Sequence, residues 1–127
     1  MLFYREVEGP MTHAERRSAT RVNARLAMEI ILGEGSARAE SLNVSANGVY
    51  FASAAFIAPL TKLRITLELP GDGGGKSRVS CDGVVVRTEP ETELPGAGEY
   101  EVACYFTEIS ERDRSRLEKY ILAHVPF

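Results

Sequence analysis

The sequence predicts an all-β protein, a small closed or partly closed antiparallel β-barrel of six or so strands with one C-terminal α-helix. Two observations predict it. Apolar and polar residues alternate in successive short segments between Arg25 and Phe106, and turn-forming residues separate these segments. A helical spacing appears only near the C-terminus. Closure is expected because so few strands would otherwise leave exposed edges.

The first predicted strand begins at Arg25, and the first two dozen residues stand outside the pattern. Leu26, Met28, Ile30 and Leu32 fall on one face of this strand, which makes it half-buried. The letters "GEGS" supply turn residues after it. Two further extended segments, "RAESLNV" and "GVYFAS", are predicted on either side of "SANG", where Asn47 and Gly48 indicate a reversal of the backbone.

The clearest strand is "KLRITLEL", which begins at Lys62. Its inward positions are Leu63, Ile65, Leu67 and Leu69. The loop "PGDGGGKS" leads from it to "RVSCDGVVVRTE", where Gly83 interrupts a β-branched run as a bulge or bend would. A second loop, "PETELPGAG", leads to "EYEVACYF", and the last two strands are predicted to form an antiparallel hairpin.

A helix is predicted over "SERDRSRLEKYILAHV". Four residues recur at the spacing of one helical face: Leu117, Tyr120, Ile121 and His124. Ser110 is a natural N-cap, and Asp113 would complete an approximate capping box. His124 is expected to serve in the core or as a cap.

Length and composition restrict the class of protein. The 127 residues fit one domain, and 44% hydrophobic and 26% charged residues are ordinary for a soluble protein. No apolar run is long enough for membrane insertion, and "MLFY" is too short for a secretory signal, so a cytoplasmic location is expected. A net charge of −3 argues against nucleic-acid binding, which usually needs a broad basic face.

No constellation for catalysis or metal binding stands out, so an enzyme is not expected, nor is a cofactor. Cys81 and Cys104 lie in apolar segments without metal-ligand spacing and are expected to be buried free thiols. "PGDGGGKS" narrowly misses the phosphate-binding P-loop pattern and precedes a strand, not a helix, so a hairpin loop is expected there. His13 and His124 are the only histidines, and neither adjoins a nucleophile.

Two polar groups remain, and their chemistry is complementary. They are "RRSATR", with Arg16, Arg17 and Arg21, and "NVSANG", with Asn43, Ser45 and Gly48. Arginine offers a planar fork for a phosphate or for the O6 and N7 edge of guanine. In a strand, the Asn43 amide and the Ser45 hydroxyl share a face, and Gly48 allows close backbone approach or a positive φ. Together they could bind a guanine edge and a phosphate.

These residues resemble the PilZ domain, a family of receptors for the bacterial second messenger cyclic di-GMP. Its signature RxxxR is matched by Arg17 and Arg21, and (D/N)xSxxG by Asn43, Ser45 and Gly48. The letters "DGVVVR" resemble the family's glycine-centred strand, and the likeness covers about residues 15 to 124. It implies a domain over 15–127 after an extension over 1–14, and a six-stranded barrel over which a flexible N-terminal arm folds.

The resemblance also implies roles for the residues. Arg17 and Arg21 would grip phosphate and the guanine Hoogsteen edge, while Asn43 and Ser45 would meet the other guanine. Many members have Asp at the position of Asn43, and an amide accepts through its oxygen alone, so weaker guanine selectivity is expected. Arg16 resembles members that bind a mutually intercalated pair of cyclic di-GMP molecules, which gives the hypothesis of two ligands per chain.

The expected function is that of a stand-alone receptor and adapter. Cyclic di-GMP would order the N-terminal arm, and the reshaped surface would engage an unidentified protein partner in trans. The alternative is a ligand-independent protein-interaction module of the same fold. A nucleotide titration would discriminate between the two.

Overall fold

The computed structural model describes residues 20–71 and 75–125. These residues form seven strands and one helix: β1 (Arg21–Asn23), β2 (Ala27–Leu32), β3 (Gly35–Ser45), β4 (Gly48–Ser53), β5 (Lys62–Pro70), β6 (Lys76–Glu89), β7 (Tyr100–Ile109) and α1 (Glu111–His124).

The strands form one antiparallel sheet that closes on itself. The order is β3, β2, β5, β6, β7, β4, and β4 then pairs with β3. This closure confirms the six-stranded barrel with a C-terminal helix. The short β1 adds a seventh strand, which pairs with the C-terminal end of β3.

The inward faces follow the predicted alternation. Leu63, Ile65, Leu67 and Leu69 of β5 are all buried, as the sequence predicts. In β2, Met28 and Ile30 are buried while Ala27 and Glu29 are exposed. The barrel therefore has a continuous apolar core, and its fully buried large side chains include Phe51, Ile30, Ile65, Leu67 and Leu117.

The start of the sheet differs from the prediction, which placed the first two dozen residues outside it. Residues Arg21–Asn23 form β1, and the alternation of the first predicted strand extends back through it. Val22 and Ala24 are buried like Leu26. The short inward side chain of Ala24 weakens the apolar signal here, which explains why the pattern recognised in the sequence begins at Arg25.

Ser41 connects β1 and β2 where the ladder along β3 is interrupted. Its buried hydroxyl accepts a hydrogen bond from the Leu26 N–H at 2.8 Å and donates one to the Ala24 carbonyl at 2.5 Å. The Ser41 N–H also donates to the Leu26 carbonyl at 2.9 Å. On its other side β3 bulges between Ser41 and Asn43. One side chain thus satisfies the backbone groups that the bend would leave unpaired.

The helix α1 covers the barrel and is capped as predicted at its start. The Ser110 hydroxyl accepts from the Asp113 N–H at 3.1 Å. The expected return bond from Asp113 takes a different form, because its carboxylate accepts from the Ser80 N–H of β6 at 3.1 Å. Asp113 therefore takes part in the N-terminal cap through its N–H and binds the helix to the barrel through its carboxylate.

The C-terminal end of α1 decides between the two roles expected for His124. The side chain is exposed, so a core role is wrong. Its Nδ1 lies 2.8 Å from the Tyr120 carbonyl oxygen, and its ring stacks on Tyr120 with centroids 4.1 Å apart. His124 thus occupies a capping position at the last turn.

The remaining sequence features take structural roles. Gly83 lies at a register shift between β6 and β7, as predicted, and Pro70 pairs with Lys76 across the β5–β6 hairpin.

Cys81 and Cys104 are buried free thiols, and burial raises the pKa of each to about 12. Within the ranges 20–71 and 75–125, no helix is long and apolar enough to cross a membrane.

We predict that Ser41→Ala lowers the free energy of unfolding by about 1–3 kcal/mol, because it leaves the buried Leu26 N–H and Ala24 carbonyl without their partner. Chemical denaturation monitored by circular dichroism measures the change. Ser36→Ala, at an exposed position of the same strand, is the matched control. Equal stability of the two variants would contradict this role for Ser41.

Candidate functional site

Three strands bring four of the predicted site residues together. Arg21 of β1 lies opposite Ser45 of β3, and Asn23 lies opposite Asn43. Gly48 opens β4 on the other side of β3, just after the turn at residues 46–47. Residues far apart in the sequence thus become neighbours through strand pairing.

These residues line one concave surface of about 100 Å³, which we call the β3 pocket. Its lining contains Arg21, Asn43, Ser45 and Gly48, together with Asn47, Val49, Tyr50, Val86, Ala103, Cys104 and Tyr105. The two halves of the sequence pattern therefore meet on the surface, as far as the described residues include them. Arg16 and Arg17 lie outside the described residues, so their predicted roles remain predictions.

Arg21 projects from a strand that is anchored in the sheet. Its neighbour Val22 is only 4% exposed and pairs with the fully buried Val44, while Arg21 itself is exposed. The buried valine fixes the backbone, and the alternation of the strand turns the guanidinium outward. The cation is therefore held at the pocket without being buried.

Ser45 has a defined role within the turn. Its hydroxyl accepts from the Asn47 N–H at 3.1 Å and lies 3.5 Å from the Gly48 carbonyl oxygen. The side chain is buried, and these contacts are local to the "NVSANG" segment. Such a hydroxyl stabilises the turn in the manner of a serine turn motif. A direct contact of Ser45 with a ligand stays a prediction.

Gly48 is required by close packing and not by backbone conformation. Among the described glycines, those with positive φ are Gly33 and Gly96. A Cβ at Gly48 would lie 2.5 Å from the carbonyl oxygen of Cys104 on β7. Of the two explanations that the sequence left open, close backbone approach is therefore the correct one.

Two further contacts fix the turn between β3 and β4. The Phe106 N–H donates to the Asn47 carbonyl at 2.8 Å, and the Arg114 guanidinium of α1 donates to the Ala46 carbonyl at 3.1 Å. With the Ser45 hydroxyl, these bonds tie the turn to β7 and to the helix. The floor of the pocket is thus held from both sides.

The structure adds aromatic and apolar groups that the sequence analysis did not select. Val86 and Tyr105 line the pocket with 56% and 53% of their surface exposed. Tyr50 donates a hydrogen bond to the Glu101 carboxylate at 2.7 Å, which raises the pKa of its phenol. The Arg87 guanidinium carbon lies 6.0 Å from the centre of the Tyr50 ring.

A signal for some of these residues is present in the sequence. In "GVYFAS" and "EVACYF" the alternation that buries Val49, Phe51 and Phe106 necessarily turns Tyr50 and Tyr105 outward. Outward-facing aromatic residues near a predicted nucleotide-binding motif are a signal for a surface on which a base could stack. Val86 carries the same signal, because the alternation that buries Cys81 and Val85 in β6 turns Val86 outward. The register shift between Val85 and Arg87 then exposes Arg87 as well.

Metal ligands do not form a second centre in the part of the chain that the structure describes. No group of three or more His, Cys, Asp or Glu side chains there could hold a metal ion. The polar side chains that line the β3 pocket there are a guanidinium, the amides of Asn43 and Asn47, and the hydroxyls of Ser45, Tyr50 and Tyr105.

Comparison with family models identifies the fold and the motif together. A model described as the PilZ domain matches residues 15–123. The chain belongs to the PilZ domain family. The match includes both halves of the motif, and the strand pairing of β1 with β3 is how this PilZ domain joins Arg21 to Asn43 and Ser45.

Solved structures share the PilZ fold at low identity. The structure of the Bacillus subtilis inhibitor of motility (MotI/DgrA) aligns with a TM-score of 0.70 and 23% identity, over 89% of this chain and 55% of that one. The PilZ domain with c-di-GMP of YcgR from Escherichia coli gives 0.65 and 15%, over 86% and 91%. The K. pneumonia MrkH-c-di-GMP complex gives 0.63 and 20%, over 85% and 51%.

The alignments cover most of this chain but different shares of the other three chains. The chain spans about half the length of the MotI/DgrA and MrkH chains, and nearly all of the YcgR domain. At these identities the likeness establishes the PilZ fold. A search of the curated proteins found no match.

We predict that Gly48→Ala destabilises the fold by about 1–3 kcal/mol, because the added Cβ meets the Cys104 backbone. Thermal unfolding measures the loss. Gly75→Ala is the matched control, since a Cβ there meets nothing within 4 Å. If Gly48→Ala unfolded at the temperature of the control, the close approach of β4 and β7 would not limit the residue at this position.

Proposed function

We propose that this PilZ domain binds cyclic di-GMP at the β3 pocket. The observation that carries the proposal is the pairing of β1 with β3, which places Arg21 opposite Ser45 and beside Asn43 on one concave surface. Family membership supports it, and two of the similar solved structures, the PilZ domain of YcgR and MrkH, are structures with c-di-GMP.

The proposed contacts follow from the chemistry of the lining. Arg21, with Arg17, would grip a phosphate or the O6 and N7 edge of guanine through paired N–H donors. The Asn43 amide would face the other guanine, and Gly48 keeps the pocket floor free of a side chain. Tyr50 and Tyr105 offer flat apolar surface for a base, with rings that can stack on it.

The energies are sufficient for a signalling receptor. A micromolar complex corresponds to about −8 kcal/mol, and each bidentate arginine contact contributes roughly 1–3 kcal/mol. Two or three arginines plus stacking therefore exceed an ordering cost of several kcal/mol. Cyclic di-GMP is a dianion and the protein carries a net charge of −3, so attraction is local to the arginines and weakens as salt rises.

Binding would act on a partner through the N-terminal arm. In this proposal the ligand draws Arg16 and Arg17 towards the pocket, and the covered surface then engages a protein in trans. The anchored β1 suits this role, because its N-terminal end at Arg21 lies at the pocket itself.

We predict that Arg17→Ala and Arg21→Ala each weaken cyclic di-GMP binding by about tenfold to a hundredfold, since each removes one bidentate contact. Isothermal titration at fixed salt measures the affinity, with cyclic di-AMP and GMP as competing nucleotides. The same titration gives the stoichiometry. An intercalated pair requires two ligands per chain, reduced to one in Arg16→Ala, and saturation of the unaltered chain at one ligand would reject the pair.

Arg25→Ala is the matched control for this titration. Arg25 is an exposed arginine whose guanidinium pairs with Glu40 at 3.2 Å, and it does not line the β3 pocket. Its loss should leave the affinity nearly unchanged. Affinity that stayed the same in both Arg17→Ala and Arg21→Ala would refute the proposed site, and the ligand-independent interaction module would then be the better hypothesis.

We also predict that the amides of residues 15–20 exchange hydrogen more slowly when cyclic di-GMP is bound, because ligand contacts would order this segment. Hydrogen exchange measured by mass spectrometry, with and without the nucleotide, reports the change. Arg21→Ala supplies the control, in which the difference should disappear. Equal exchange in both states would contradict the proposed arm, even if the nucleotide binds.

A further inference from the structure

A second concave surface lies beside the turn that carries the motif. It is a groove of about 560 Å³ between α1 and residues 46–47. Asn47 borders both this groove and the β3 pocket. Arg114 crosses from the helix to the Ala46 carbonyl at 3.1 Å and forms part of the wall.

The C-terminal part of the helix side of the groove is apolar and uncovered in the described residues, whereas Arg114 and Glu118 line the part nearer the start of the helix. Leu117 and Ile121 face the barrel core, whereas Leu122 lies in the groove with 69% of its surface exposed. Val125 and the edge of Ile121 extend the same side. A single exposed leucine is ordinary, but here it joins two other apolar residues in a concavity where a further apolar side chain could be buried.

The chain itself supplies an occupant. Thr20, the first residue that the structure describes, lines this groove, so residues 1–19 enter the described fold at its rim. A segment of that length can extend roughly 60 Å, more than it needs to turn back onto the surface it starts from. Its apolar cluster is "MLFY", with Leu2, Phe3 and Tyr4.

We propose that Leu2, Phe3 and Tyr4 dock in the groove of Leu122, Ile121 and Val125 within the same chain. A tether of this kind gives an effective concentration on the order of millimolar, far above that of a second copy in dilute solution. The tethered segment therefore occupies the groove in preference to another molecule. The contact does not depend on cyclic di-GMP, and its test contains no nucleotide.

Paramagnetic relaxation in the full chain tests this docking. A nitroxide is attached at Glu6→Cys, while Cys81 and Cys104 stay unlabelled because they are buried. Because docking would hold the label close to the groove, the amide signals of Leu122, Ala123 and Val125 should lose at least about twofold in intensity relative to the reduced label. Full intensity at these three amides would overturn the proposal.

Two controls make the result specific. Leu122→Glu in the labelled chain should restore the signals, whereas Leu94→Glu, at another exposed leucine outside the groove, should leave the broadening unchanged. Broadening that survives Leu122→Glu would overturn the assignment. A mixture of unlabelled ¹⁵N chain with nitroxide-carrying ¹⁴N chain should show no broadening; broadening there would assign the groove to a second copy instead.

Discussion

The closure of β3 against β4 is the constraint on which the rest of the structure depends. β3 pairs with β2 from Gly35 to Glu40 and with β4 from Glu40 to Val44, and the second pairing contains a bulge between Ser41 and Asn43. The bend interrupts the ladder, and the Ser41 hydroxyl supplies the missing partners for Leu26 and Ala24. The same bend leaves the C-terminal end of β3 free of β2, and β1 pairs there with Asn43 and Ser45. Barrel closure and site assembly therefore both depend on the pairing of β3.

The turn after β3, at residues 46–47, is hydrogen-bonded to three different elements of the fold. The Asn47 N–H donates to the Ser45 hydroxyl of β3, and the Asn47 and Ala46 carbonyls accept from the Phe106 N–H of β7 and the Arg114 guanidinium of α1. A group that displaced the turn would have to break contacts with two other elements. Because Asn47 borders both the β3 pocket and the groove beside α1, any movement of this turn changes both surfaces at once.

The sequence predicted most of the fold because period-two alternation is a local property. The inward face of β5 and the N-cap at Ser110 required only neighbouring residues. In contrast, β1 is three residues long and is recognisable only through its pairing with β3, and Asp113 reaches Ser80 across the interface of helix and barrel. The exposure of Arg87 next to the exposed Val86 depends on a register shift between two strands. Such features follow from tertiary pairing, which alternation within one segment does not encode.

The size of the β3 pocket bears on how the proposed ligand could be held. Sites that enclose a small molecule usually measure about 300–1,000 Å³, whereas the described lining surrounds about 100 Å³. These residues therefore provide one wall for a cyclic dinucleotide and not an enclosure. In the proposed complex the opposite wall comes from Arg16 and Arg17, which precede Arg21 by few enough residues to lie within roughly 20 Å of it. In that complex the affinity would depend on Arg16 and Arg17 as well as on the β3 pocket, and ligand binding would change the surface around the pocket.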